Sequence, residues 1–353
     1  MVLIRLYLPK NKTMTKTAVV ILNWNGRAFL EQFLPSVTTL TTAPGSEIWV
    51  ADNGSTDDSL DFLRQHYPDV RILTFDTNYG FAGGYNKALQ QIEAEYVVLL
   101  NSDIEATAGW LEPLVAFMDA NRDVAACAPK LLSYSARDRF EYAGASGGFI
   151  DRYGYPFCRG RILDTTETDN GQYNDCRDVF WATGACLMVR SELYRAAGGL
   201  DDDFFAHMEE IDLCWRLKNA GYRIAVVPQS VVYHVGGGTL PSTNPRKLFL
   251  NYRNNLYMLY KNLPAKGFRR TLLARLILDG VSAFMYLAKL QFGFFWAVPR
   301  AHFAFYKALG TLRDKRKQLQ AARKTDHHAE CYNGSIVFDY FVKGRKTFGQ
   351  IRW

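Results

Sequence analysis

"TAVVILNWNG", residues 17–26, is an apolar run that stops at Asn23, Trp24, Asn25 and Gly26. Aliphatic residues without alternation mark a strand covered on both faces, as in a parallel sheet flanked by helices. The Asn23–Gly26 segment then forms the loop at the strand's carboxyl end, and residues 27–40 follow with a helical pattern. The same unit recurs. "EIWVADNGSTD" is a strand ending at Asp52, "SLDFLRQHY" a helix and "VRILTFD" a third strand. "AGGYNKALQQIEA" is the next helix, and "YVVLLNSDIE" the fourth strand. Strands separated by helices predict βαβ units in an α/β, mostly parallel, doubly wound sheet.

Polar residues stand where these strands end: Asn23, Asp52, Asn78 and Asp103. Open α/β sheets bind ligands at the carboxyl ends of their strands, so four such ends describe one crevice. As single residues, Asn, Asp and Gly are also ordinary turn formers. Residues 133–180 are rich in Gly, Asp and Tyr with little periodicity, and read as a long excursion over the sheet. "VFWATGACLMVR" returns as a strand, a short helix covers 191–197, and a helix of about 209–220 follows the loop "GGLDDDFF". "YRIAVVP" and "VVYHV" are expected as two short strands.

The charge is divided. Residues 1–244 carry 21 Lys and Arg against 30 Asp and Glu, whereas residues 245–353 carry 21 against 5. An acidic module followed by a basic one marks two tasks. The chain therefore divides into an extension at 1–15, an α/β domain at 16–244 and a helical, basic region at 245–353. In that region Leu273, Ile277, Gly280, Phe284 and Leu287 form an apolar stripe at helical spacing. Arg275, Asp279, Ser282, Tyr286 and Lys289 form the opposite stripe. No run reaches the ~18 uncharged apolar residues that a spanning helix needs. A helix lying in the membrane interface is the expectation, beside the plainer one of a helix packed on the domain. Six scattered cysteines form no CxxC pair and predict reduced thiols.

Asp103, just past a buried strand, suits a hard divalent cation held against a diphosphate. His234, at another strand end before three glycines, is a second candidate ligand. "FFAHMEEIDLCWR", residues 204–216, crowds Glu209, Glu210 and Asp212 into four positions. Such crowding raises carboxyl pKa values and favours a proton acceptor.

"VVILNWNG", "VADNGSTDDS", "NYGFAGGYNKAL", "LLNSDIE", "GACLMVRSELYRAAGGLDDDFF", "HMEEIDLCWRLKNAGYRI" and "VVYHVGGG" occur in that order. Together they resemble family 2 glycosyltransferases of the GT-A fold, and within them the bacterial rhamnosyltransferase-like group. The resemblance spans about residues 16–240, and "YRNNLYMLYKNLP" extends it less specifically. It implies a metal-dependent, inverting transfer from a nucleotide sugar, with dTDP-rhamnose the group's suggestion, to a glycan or lipid-linked acceptor in cell-surface polysaccharide synthesis. It also implies Mg²⁺ or Mn²⁺ as cofactor and a cytoplasmic chain, peripheral on the inner face of the cell membrane.

By the same resemblance Asp52 binds the nucleoside, and Asn23 and Asn25 lie in the first nucleotide-facing loop. Asn78, Gly80, Gly83, Gly84 and Asn86 lie under the nucleotide sugar. Asp103 closes a DXD-like motif as metal ligand, with His234 as a further ligand. Asn101 replaces the motif's first aspartate, so contact there is by amide. Glu210 is the expected base, Glu209 its alternative or an acceptor contact, and Asp212 an ion-pair partner of Arg216. Two rival readings are weaker. A GT-A-fold nucleotidyltransferase wants a basic signature near the first loop, where Arg27 stands alone. A nucleic-acid-binding module in the basic region lacks a reader motif, so no nucleic-acid partner is expected.

Overall fold

The structure, a computed structural model, describes residues 15–236 and 244–353. The extension expected at 1–15 lies outside the described residues up to residue 14, and Thr15 already opens the first strand. Gly237 and Gly238, after His234, also lie outside them.

β1 (Thr15–Asn23), β2 (Ser46–Asp52), β3 (Arg71–Thr74) and β4 (Ala94–Asn101) are parallel, in the order β4-β1-β2-β3. α1 (Arg27–Leu40), α2 (Ser59–His66) and α3 (Gly80–Leu89) connect them. After β4 come β5 (Ile104–Ala106), α4 (Glu112–Ala120) and β6 (Val124–Ser133). The expected fourth strand thus breaks at Ser102 and Asp103, and β5 leaves to pair with a later strand.

The excursion is more ordered than its composition suggested. β7 (Gly148–Asp151), β8 (Pro156–Cys158), β9 (Arg161–Ile162) and β10 (Thr165–Thr166) form a small second sheet. The chain returns through β11 (Arg177–Asp178), β12 (Cys186–Arg190), α5 (Ser191–Ala196), α6 (Glu209–Asn219) and β13 (Arg223–His234). Among the described residues the main sheet runs β11-β13-β6-β12-β4-β1-β2-β3, with β5 on β13. β12 is antiparallel to both neighbours, so its first residue lies at the same sheet edge as the last residues of β1, β2 and β4. The two short strands expected at 222–235 are one, with a register shift between Val227 and Val231 that accommodates Pro228. A proline cannot donate to the ladder, and a bulge relieves that loss.

Alternation along β1 explains the two layers. Ala18 and Val20 face one buried cluster with Tyr85 and Leu213, whereas Val19 and Ile21 face the other with Leu30 and Leu114. Both faces are covered, which is why the strand reads as an unbroken apolar run.

The basic region holds α7 (Pro245–Asn262), α8 (Phe268–Ala288), α9 (Phe292–Lys307) and α10 (Leu309–Ala321). It ends with β14 (Cys331–Tyr332) and α11 (Ile336–Phe341), and β14 adds to the second sheet beside β7. By length and composition α8, with 21 residues, could cross a membrane, but Arg275 and Asp279 interrupt it, so it holds no uncharged run of spanning length. The plainer expectation, an ordinary packed helix, is corrected: large apolar side chains of α8 face outward and an ion pair faces inward. Arg275 and Asp279 are buried and paired at 2.7 Å, while Leu273, Ile277 and Phe284 point outward.

Two lysines of the basic region pair with carboxylates of the acidic domain. Lys261 of α7 is buried between Asp201 and Asp212, at 3.0 Å from the latter. Lys315 of α10 reaches Asp201 at 2.5 Å and Asp203 at 2.8 Å. Burial alone would raise the Asp201 carboxyl, but Lys261 and Lys315 hold it well below the ordinary range.

Candidate active site

The carboxyl edge of β1, β2 and β4 gathers the polar strand ends. Asn23 and Asp52 are register partners on adjacent strands, both buried. Asn23 Nδ2 donates to Asp52 Oδ2 at 3.0 Å and to Ser55 Oγ at 3.2 Å. Asp52 Oδ1 accepts from the Ser55 backbone N–H. The Asn23 Oδ1 atom has no partner although it is buried. Asn25 has φ 50° and is exposed, and its Oδ1 accepts from the Thr56 N–H at 2.7 Å. It ties the first loop to the second.

Asn53, which the sequence did not single out, joins the second loop to α3. Its amide donates to Asn78 Oδ1 and Gly80 O, and its carbonyl accepts from the Tyr79 N–H, all at 3.0 Å. Asn78 in turn accepts from the Gly80 N–H at 2.8 Å. Gly80 has φ +72°, and a Cβ there would lie 2.6 Å from the Phe205 ring. A Cβ on Gly84 would meet Leu22 at 2.8 Å, and Gly83 is buried beside Tyr79. These glycines let α3 approach β1 and the 198–208 loop closely. Asn86, expected beneath the donor sugar, is corrected to a scaffold residue. It donates to Leu200 O and Asp202 Oδ1 and accepts from Tyr194 Oη and the Leu200 N–H. An amide has two donors and two acceptor lone pairs, so its capacity is fully used within the protein.

At the end of β4, the Asn101 amide lies 3.4 Å from His234 Nε2. The same nitrogen lies 3.1 Å from Asp103 Oδ1, and His234 and Asp103 are both buried. The other imidazole nitrogen, Nδ1, is 3.3 Å from Glu141 Oε1, an ion-pair contact without a formed hydrogen bond. Burial opposes a charged imidazole, but Glu141 and then Asp103 raise His234 to about 10. Burial likewise works against the Asp103 carboxylate, which His234 and backbone N–H groups nonetheless hold below its ordinary range. Glu141 sits in the aperiodic excursion, more than thirty residues after Asp103, and carried no sequence signal.

Glu209 and Glu210 open α6 after an unusual approach. Phe205, His207 and Met208 all have left-handed φ, at 64°, 72° and 72°. Such residues cost on the order of 1–3 kcal/mol each and persist only where the surroundings impose them. The imposing group comes from α7. The Asn254 amide reaches the carbonyls of Phe204, Ala206 and His207 at 2.8–3.0 Å, and Arg253 those of Asp203 and Phe204 at 2.9 Å. "YRNN" thus holds the loop that presents both glutamates. Glu210 packs against Gly184, where a Cβ would stand 3.4 Å from its own, and Ala185 O accepts from the Asn101 N–H. This links the start of α6 to the carboxyl end of β4.

One buried carboxylate oxygen of each glutamate, and the buried Nε2 of the half-buried His207, lack partners. Burial raises the Glu210 carboxyl to about 7. Burial, then the Glu210 charge and Asp212, push Glu209 well above its ordinary value. Burial lowers His207 to about 4, so it is neutral near pH 7. Asp212 is the ion-pair residue expected of it. Its Oδ2 accepts from Arg216 Nε at 2.8 Å, and its Oδ1 from Asn262 at 2.7 Å. Native proteins leave few buried polar atoms unpaired, so Asn23 Oδ1 at the end of β1, and His207 Nε2 with the two glutamates at the start of α6, are candidate ligand contacts.

A mostly parallel sheet with its polar residues at the carboxyl edge, roofed by a loop bearing two raised carboxyls, defines a nucleotide-dependent α/β transferase architecture of the GT-A kind. The chain belongs to glycosyl transferase family 2, whose model matches residues 18–198. It is 29% identical over 234 residues to the N-acetylglucosaminyl-diphospho-decaprenol L-rhamnosyltransferase of Mycobacterium tuberculosis, covering 61% of this chain and 75% of that protein. It is 26% identical over 177 residues to the rhamnosyltransferase WbbL of Escherichia coli K12, covering 48% and 66%. The solved structure of GalNAc-T7 with UDP, GalNAc and Mn²⁺ superimposes with a TM-score of 0.59 at 15% identity, covering 95% of this chain and 57% of that one. The fold is therefore GT-A and the chain a rhamnosyltransferase-like glycosyltransferase.

Proposed function

We propose that the chain transfers a sugar with inversion from a nucleoside diphosphate donor, L-rhamnose on dTDP first among them, to a hydroxyl of a glycan or lipid-linked acceptor. The step belongs to cell-surface polysaccharide synthesis at the inner face of the cell membrane. The donor sugar and acceptor class follow the L-rhamnosyltransferase to which the chain is similar. One observation carries the reaction type: a buried carboxyl, Glu210, raised to about 7 and unpaired at one oxygen, beside the strand edge. An inverting transfer needs one base, and such a group can take the acceptor hydroxyl proton at neutral pH.

Asp52 and Asn23 are placed to bind the nucleoside, and Asn25 and Asn78 to shape the loops around it. Glu209, raised well above its ordinary value by burial and then by Glu210, is a second polar contact for the acceptor. Asp103 and His234 fit a divalent cation, Mg²⁺ or Mn²⁺, whose binding would displace the imidazolium proton that faces Asp103 without metal. Asp103 Oδ1 and His234 Nε2 converge at 3.1 Å, and Glu141 stands behind the other nitrogen as an orienting carboxylate. Two protein ligands suffice where a diphosphate supplies further oxygens. When bound, such a cation stabilises the charge that develops on the leaving diphosphate.

Thermal shifts with dTDP, UDP and GDP, each with Mn²⁺, Mg²⁺ or chelator, test this reading. One nucleoside diphosphate is expected to stabilise the protein, by about 2.7 kcal/mol at a hundredfold excess over its Kd, and only with metal. No shift with any of them would remove the reading. Glu141→Gln is expected to weaken Mn²⁺ binding about 10- to 100-fold, read from the free-ion electron paramagnetic resonance signal. An unchanged Mn²⁺ affinity would take Glu141 out of the site.

A further inference from the structure

We propose that the outward faces of α8 and α9 seat the protein in the interface of an anionic phospholipid leaflet. The inference deepens the peripheral placement proposed above and rests on it. In a helix packed on a water-soluble domain, the apolar stripe faces inward. In α8 the inward side sets a buried ion pair among Leu272, Leu276 and Ala283. Arg275 and Asp279 are paired and buried there, with Asn255 Oδ1 accepting from Arg275 and His302 lying 3.2 Å from Asp279. Ser282 is tied to Tyr252 on the same side.

The outward stripe carries Leu273 and Ile277, each 59% exposed, and Phe284 at 69%. On α9 it carries Phe292, Trp296 and Phe303, at 56%, 59% and 72%. Each large apolar side chain left in water forgoes about 1.5–3 kcal/mol available on burial. The stripe on α8 spans roughly 17 Å at 1.5 Å per residue, matching a helix lying along a surface.

Charge decides what covers this face. Between Leu263 and Arg313 the sole acidic residue is Asp279, which is buried and paired. Arg269 and Arg270, one turn before Leu273, are exposed, as are Lys289, Arg300 and Lys307. A second copy of the chain would bring the same cations against these and repel. Anionic headgroups neutralise them, at about 1 kcal/mol for each basic residue near the surface. Trp296 and Tyr306, apolar bodies with polar tips, suit the headgroup level.

The test is flotation of the full chain with phosphatidylcholine vesicles, with and without about 30% phosphatidylglycerol. The wild type is expected to float with the anionic vesicles alone. Ile277→Glu with Phe284→Glu is expected to lower the partition coefficient about tenfold or more. Both side chains are exposed, so melting and the nucleoside diphosphate thermal shift should hold; Ile277→Gln with Phe284→Gln repeats the test without added charge. Wild type that binds no vesicle would overturn the peripheral placement itself. Wild type that binds, with both double variants binding equally well, would overturn this surface and leave the placement standing. Equal binding to neutral vesicles would overturn the anionic preference. A dimer in sedimentation that the double variants dissociate, without vesicle binding, would assign the face to a second copy instead.

Discussion

Glu210→Gln is expected to lower kcat by about 10²- to 10⁴-fold, the usual contribution of a positioned general base. The amide is nearly isosteric and cannot accept the acceptor proton, so the donor-induced thermal shift should persist. The pH profile separates this role from a structural one. A base must be ionised to act, so wild-type kcat/KM should climb as pH rises through about 7, where burial sets the Glu210 carboxyl. That limb should vanish in the variant. Glu209→Gln should leave it in place, because the limb belongs to the Glu210 carboxyl. Turnover within threefold of wild type in Glu210→Gln would shift the assignment to Glu209 or remove it from the pair.

Lys261→Met is expected to cost about 3–5 kcal/mol of stability, the usual result of removing one partner from a buried ion pair. Lys261 is 1% exposed and bridges Asp201, before the 203–208 loop, to Asp212 on α6. Without it two carboxylates remain buried with less compensation. Arg216 and Asn262 still serve Asp212, and Lys315 serves Asp201. Chemical denaturation measures the loss, and Asp212→Asn in the same background should return part of it, since the pair is coupled. A loss under about 1 kcal/mol would mean that Lys315 and Arg216 carry the anchoring by themselves. Turnover should fall with stability, because α7 also holds the 203–207 carbonyls through Arg253 and Asn254.

The positions of Asp52 and Asp103 at the carboxyl edge were legible because Asp52 ends one apolar run and Asp103 follows two residues after another strand's end. The same logic placed Asn23. Asn86 misled because an asparagine on a glycine-rich helix has the same letters whether it faces a sugar or a loop. Its four hydrogen bonds to residues 194–202 come from more than a hundred positions away. Glu141 was invisible for a related reason. It belongs to no periodic element and gains meaning only when β13 carries His234 to it. The excursion around it is rich in turn residues, and its short strands pair too few residues each to leave an alternating pattern.

The doubly wound sheet, the edge where its polar residues gather and the family could all be read from the sequence, whereas the choice between Glu209 and Glu210 rests on the variants proposed above. Sheet, edge and family follow from local patterning, since periodicity and strand-end chemistry are written within ten or so residues. Only the tertiary structure decided what the basic region does with its charge and which way α8 turns. A helical stripe in sequence fixes two opposite faces but not which one meets a neighbour. Here Asn255, Tyr252 and His302 offer polar partners on the inner side, and burying Arg275 and Asp279 with those partners turns the apolar face outward.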